Sequence, residues 1–302
     1  MSVHQANSMR SGLGRLLRAA RAHRIAVLLV TLALSMVCFQ TFAAHTFAGM
    51  LAQSAALAAV ALAGVAVSDP SALEVRRASS CARACGFGTG AGAKRGADCR
   101  LRRWTAYVLV VGLAAGIASA AAAAFLPADH FGAPEGWSPV QTAARFAAVA
   151  AICFLTGVYE EGVFRAIAID ALLPAFAKSR RGVLCAALAS SILFGTLHVS
   201  AADAAAADGA VTWAQLALKP LQAGLFGFFM AALYVRTRSL WTVAGAHGLF
   251  NLLYTGPDLV WGGLSSSYVT GDPVDLALLA ATTLLLALPA VAAARDMKEH
   301  GR

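Results

Sequence analysis

The chain has 302 residues, of which 59% are hydrophobic and 13% charged. A soluble globular protein carries roughly 25% charged residues, so this composition, with a mean hydropathy of +0.68, excludes a soluble enzyme, a disordered chain and a disulfide-rich secreted domain. A net charge of +9 suggests nucleic acid only if the basic residues are not accounted for by membrane loops.

Residues 1–24 carry Arg10, Arg15, Arg18, Arg21 and Arg24 and read as a basic cytoplasmic N-terminus. The same pattern suits a signal peptide, but the leader is long and a second apolar run comes directly after the first, so the segment is read as retained. A spanning helix needs about 20 mostly apolar residues. Residues 25–67 contain no Asp, Glu, Lys or Arg and hold two spans, with His45 near the bend. Residues 68–103 are rich in Gly, Ala and Arg without apolar periodicity, which predicts a disordered cytoplasmic loop or one lying on the anionic leaflet. Its Cys81, Cys85 and Cys99 are read as free thiols, since a structural zinc site takes four ligands. Cys38, Cys153 and Cys185 sit in apolar runs and are read as packing residues.

A third span covers 104–126. The fourth, about 141–177, is broken by Arg145, Glu160, Glu161, Arg165 and Asp170. Further spans lie at 182–202, 213–235, 239–257 and 275–294, and 295–302 is a cytoplasmic tail. The connections between spans test the count. Lys and Arg concentrate ahead of span one and in alternate connections, whereas 127–140, 203–212 and 255–274 hold none of them and carry Asp and Glu instead. The expectation is an all-α polytopic membrane protein of about eight transmembrane helices, with both termini cytoplasmic. That placement absorbs the net charge and removes nucleic acid as a partner, leaving the lipid bilayer. The Ala-rich, short-looped chain reads as a bacterial inner-membrane protein, and small residues of this kind let membrane helices approach closely.

Ionisable residues at membrane depth are costly and mark function. In Tyr159-Glu160-Glu161-Gly162-Val163-Phe164-Arg165, Glu161 and Arg165 are i,i+4 and pair on one face, which leaves Glu160 without a partner in its own helix. The second place is Phe194-Gly195-Thr196-Leu197-His198. The third is His247-Gly248-Leu249-Phe250-Asn251, where His and Asn share a face. Lys219, before Pro220, is expected to snorkel to the outer interface. An antiparallel hairpin turning near 179–180 sets Glu160 opposite His198. The depth of His247 matches if that hairpin, with Arg165, Asp170, Lys178, Arg180 and Arg181, projects into the cytoplasm. Each residue alone has a plain structural reading; the set predicts a Glu–His–His–Asn cluster within the membrane.

Hydrolysis needs a base for water and donors for an oxyanion. Glu160 with His198 suits the first, and His247 with Asn251 the second. Neither G-x-S-x-G nor H-E-x-x-H is present. No cofactor is required, although Glu160, His198 and His247 would be the ligands if a divalent metal such as zinc took part.

At these residues the sequence resembles the CPBP family, which holds the type II CAAX prenyl endopeptidases and the bacteriocin-processing or self-immunity proteins. EEGVFR matches its EExxxR motif, FGTLH its FxxxH motif and HGLFN its HxxxN motif, and the resemblance covers about 140–255. It implies an intramembrane glutamic endopeptidase. Glu160 would activate water with His198, His247 and Asn251 would form the oxyanion site, and Glu161, Arg165 and Phe194 would support them. The substrate would be a protein or peptide with a membrane-associated or C-terminal segment. Rival readings are a silent membrane scaffold or immunity protein and, less so, a proton-coupled transporter.

Overall fold

The computed structural model describes residues 22–42, 46–74, 92–125, 138–179, 181–262 and 269–300. Among them there is no strand; the protein is an all-α polytopic membrane protein.

Helices α1 (Arg24–Thr41) and α2 (Phe47–Ser68) pack against each other. Thr46 caps α2 by accepting the Gly49 amide at 3.0 Å. Asp69 then caps a short 3-10 turn, Pro70–Leu73. Helix α3 runs from Gly92 to Phe125. The sequence Ser138-Pro139-Val140-Gln141 starts α4 (Pro139–Glu161) with a reciprocal capping box and Pro in the first turn, both legible start signals. The helical path then changes to a π segment, Gly162–Ile167, and returns to α in α5 (Ala168–Leu172). A 3-10 turn over Leu173–Phe176 ends it. Next come α6 (Gly182–Thr196), the short α7 (Ala201–Ala206) and α8 (Gly209–Thr237). Helix α9 (Leu240–Tyr254), a π turn (Asp258–Gly262) and α10 (Pro273–His300) complete the order.

Helix α4 is the centre. It packs mainly against α9 on one side and α2 on the other. Helix α8 lies between α6 and α10, and α3 closes the ring against α9 and α10. From Val158 to Ala171 every residue but Glu160 is buried, so the motif segment is enclosed all round. The outer faces are apolar, with Leu29, Leu34, Ile117, Ile192, Leu284 and Val291 exposed, as lipid contact requires. Interior hydroxyls such as Thr31, Ser35 and Ser191 donate to carbonyls one turn back, leaving none of these polar groups unsatisfied in the apolar interior.

Among the described residues, six helical stretches are long and apolar enough to cross a membrane. The two other predicted spans are α6 and α9, each only 15 residues. At 1.5 Å per residue each spans about 22 Å, short of a hydrocarbon core of about 30 Å. His198 lies just past the end of α6, and His247 lies at the middle of α9. Irregular backbone at that depth is tolerated where it lines a cavity.

Several expectations are corrected. Residues 92–103 of the predicted loop are the first turns of α3: Ala, Leu and Arg favour helix, and Arg100 meets Asp296 of α10 at 3.5 Å. The segment 182–202 is not one span, because α6 stops at Thr196. The tail from 295 continues α10 to His300. Arg165 and Asp170 do not project into water; both are buried. His45, Cys81, Cys85 and Arg180 lie outside the described residues.

Asp170 explains one end of the bundle. Arg238 donates to both its carboxylate oxygens at 3.0 Å and to Asp69 at 3.3 Å. Arg24 lies 3.9 Å from the same Asp170 carboxylate. One cluster thereby joins α1, the end of α2, α5 and the α8–α9 turn. Arg238 adopts φ 48°, a left-handed conformation that a non-glycine residue holds at some cost; the bidentate pair offsets it.

Candidate active site

The site is built where α4, α6, α8 and α9 meet, and small residues set the approach. A Cβ placed on Gly248 would lie 2.8 Å from Phe154 Cα, and one on Gly157 2.7 Å from the Ala244 carbonyl oxygen. Helices α4 and α9 therefore touch backbone to backbone just where each carries its motif. Helices α6 and α8 do the same: a Cβ on Gly195 would meet the Pro220 carbonyl oxygen at 2.4 Å. Gly248→Val should accordingly force α9 from α4 and lower the rate of the hydrolysis that the motifs imply at least about 100-fold, the order of loss that a 1 Å misplacement brings. Gly245→Ala, on the same helix, places its Cβ in open space and should keep the wild-type rate. Rates of the two purified variants on one substrate check this.

Close approach brings His247 between two carboxylates. Its Nδ1 is 2.6 Å from Glu161 Oε1, and its Nε2 is 3.2 Å from Glu160 Oε2. Glu161 and Arg165 are fully buried, and the Arg165 Nε lies 3.1 Å from Glu161 Oε2. The Arg165 guanidinium also sits 4.2 Å from the centre of the Phe194 ring. Glu161 is thus held by Arg165 on one oxygen and holds His247 with the other. Glu160 is the more accessible carboxylate, with 19% of its side chain exposed.

The π segment comes directly after this pair. It begins at Gly162, where a Cβ would come within 3.0 Å of Ala61 on α2. A wider helical turn inserted after the carboxylates shifts the phase of the residues beyond it, and such turns are frequent at functional sites. Ser190 of α6 donates to the Phe164 carbonyl within it.

His198 lies just past the end of α6, half-buried. Its Nδ1 is 2.8 Å from the Phe194 carbonyl oxygen. A carbonyl only accepts, so Nδ1 carries the proton and Nε2 keeps its lone pair. The Phe194 ring lies edge-on between the two histidines, 4.5 Å from His198 and 6.1 Å from His247. Asn251 is one turn beyond His247 on α9. The expected pairing of Glu161 with Arg165 is present, and the four motif residues fall in one region. The carboxylate contact of Glu160, however, is with His247 rather than with His198.

No group of three His, Cys, Asp or Glu among the described residues is arranged to hold a metal ion. The Nδ1 contacts of His198 and His247 leave the two Nε2 atoms facing the site.

Sequence reasoning missed one part of the site. Lys219 does not snorkel outward; it is buried, and its Nζ donates to Gln222 Oε1 at 3.0 Å. Gln222 in turn donates to the Tyr254 hydroxyl at 3.0 Å and to Thr282 Oγ1 at 2.5 Å. The signal was available: Lys219 and Gln222 are i,i+3 in an otherwise apolar helix, and Tyr254 is seven residues after His247 on the same face.

Residues 142–253 match the family model described as Rce1-like, Type II CAAX prenyl endopeptidase Rce1-like. No match was found among curated proteins or among solved structures.

Proposed function

We propose that this membrane protein, whose residues 142–253 match the Rce1-like type II CAAX prenyl endopeptidase family, is an intramembrane protease of the CAAX type that hydrolyses its peptide bond with a water activated by Glu160 and His198. The observation that carries the reading is the division of labour between adjacent carboxylates. Glu161 is locked between Arg165 and His247, while Glu160 keeps an accessible edge. Glu160 therefore takes a proton from water, with the Nε2 lone pair of His198 as the second acceptor. The hydroxide attacks the scissile carbonyl. Glu161 holds His247 by Nδ1 and so aims Nε2 at the same space. There His247 and the Asn251 amide receive the oxyanion. Collapse of the intermediate breaks the C–N bond, and the proton first taken from water passes to the leaving amine.

The substrate is a polypeptide with a membrane-associated or C-terminal segment, in a bacterial inner membrane. The test compares termini of membrane and secreted proteins in cells carrying wild type, Glu160→Ala or His198→Ala at equal protein level. Loss of the same processed termini in both variants supports the reading and names the substrate. Unchanged termini, with a phenotype seen only on full deletion, would make the protein a binding scaffold instead.

A further inference from the structure

A cavity of about 340 Å³ lies apart from the hydrolytic groups, at one end of the bundle. That volume is within the range of small-molecule sites. Three of the membrane-crossing stretches have an end on it. Arg24 opens the first, Phe176 closes the fourth, and Met297 is next to Lys298, the last residue of the sixth. Where apolar helices end, the hydrocarbon of the bilayer gives way to its headgroups. The cavity therefore sits at headgroup level.

Its polar wall is cationic. Arg24 meets Asp170 through Nη1 alone, 3.9 Å from the carboxylate and 3.4 Å from the backbone carbonyl oxygen. Nε and Nη2 remain for a further acceptor, and 38% of the side chain is exposed. A guanidinium fork of this kind suits two oxygens of one phosphate. Arg181 and Ser179, in the turn before α6, are exposed on the same wall. The one acid of the lining is Asp170, and both its oxygens already accept from Arg238. The wall thus offers two cations to a phosphate and no available carboxylate to an ammonium.

The rest of the lining is apolar, with Leu173, Phe176 and Leu184 beside Met297. Leu184 also starts a track on α6. Leu188 and Ile192 follow it at i+4 and i+8, on one face of the helix, and are 49% and 57% exposed. A soluble phosphate ester gains nothing from such a track, whereas an acyl chain lies along it. We propose that the cavity binds the headgroup of a phospholipid with a net negative charge, its phosphate on Arg24 and Arg181 and an acyl chain along Leu184, Leu188 and Ile192. Bound there, the lipid touches α1, α6 and α10 at once and stabilises the folded bundle by mass action.

The test is native mass spectrometry of the full-length protein, released from detergent micelles doped with dioleoylphosphatidylglycerol or dioleoylphosphatidylcholine, with a melting curve on the same samples. The two lipids share their chains and their phosphate and differ in net charge. The wild type should retain one phosphatidylglycerol, preferred at least about tenfold over phosphatidylcholine, the value of a hydrogen bond to a charged group, and should melt higher with it. Arg181→Gln should lose that preference and Arg181→Lys should keep part of it. Arg103→Gln, which removes an exposed charge on α3 outside the cavity lining, should keep all of it. Glycerol 3-phosphate, which has the phosphate without the chains, should neither displace the lipid nor raise the melting temperature. Equal retention of the two lipids by the wild type overturns the site. So does an unchanged preference in Arg181→Gln, or an equal loss in Arg181→Gln and Arg103→Gln, which assigns the effect to the general charge of this face. Displacement by millimolar glycerol 3-phosphate makes the cavity a site for a soluble ester and overturns the lipid assignment. The two-lipid comparison on the wild type needs no variant to fold.

Discussion

In Glu160→Gln, proteolysis should fall by about 10²–10⁴-fold, the contribution of a positioned general base, while yield and melting temperature in detergent stay at wild-type values. The substitution keeps shape and volume and removes only basicity. The neutral amide still reaches the His247 Nε2, now 3.2 Å from a Glu160 carboxylate oxygen. Because this side chain has an accessible edge, no buried charge is left without a partner when it is neutralised. The measurement is kcat/KM on the substrate identified from the terminus comparison, alongside a melting curve. A variant that cleaves at the wild-type rate would remove Glu160 from the mechanism. One that melts early would make it a structural residue.

Arg165→Met should behave in the opposite way. Arg165 and Glu161 are fully buried and paired at 3.1 Å. Among the described residues the guanidinium makes no hydrogen bond of good geometry, so its charge is met by Glu161 and by the Phe194 face. Removing it strands a carboxylate in the interior, which typically costs about 3–5 kcal/mol. The loss should appear as a fall in melting temperature and in the amount of folded protein. Combining Arg165→Met with Glu161→Gln removes both charges and should restore most of the stability, because a buried pair replaced by neutral groups of similar volume is often neutral in stability. It should not restore activity, since Glu161 also holds the His247 ring at 2.6 Å. Stability and rate in the single and double variants therefore report separately on the two roles of Glu161.

The helices were legible because lipid demands long uncharged runs, although the run 182–202 is interrupted where α6 stops at Thr196. The start of α4 carries an explicit capping box at Ser138–Gln141, a signal that counting apolar runs did not use. The misjudged ends have a common cause. Arg95, Arg100, Arg102 and Arg103 suggested loop, yet arginine is a good helix former, and α3 runs through them. At the site, the motifs gave the residues but not their pairing. Equidistance from a hairpin turn placed Glu160 opposite His198, a calculation that assumes an ideal helix. The π segment after Glu161, and the backbone contact of Gly157 with α9, place His247 at the carboxylates instead. Lys219 was misplaced because hydropathy reads a lysine near a helix start as interfacial. Its partner Gln222 lies three residues on in the same helix, and the fold ties that amide to Tyr254 and Thr282.

The Asp170 cluster has a bearing on inheritance and engineering. The stretch recognisable as a family domain, 142–253, is smaller than the unit that holds together. Arg24 and Asp69 come from outside it, yet they share the Asp170–Arg238 pair at its edge. Ala61, beside Gly162, comes from outside it too. A fragment trimmed to the recognisable stretch would expose the Asp170 carboxylate and the flank of its own catalytic helix. Transplanting this protease onto another membrane anchor therefore means carrying α1 and α2 with it. Drift in those two helices is free on their lipid-facing sides and bound at Arg24, Ala61 and Asp69, however unlike its relatives the front of the chain becomes.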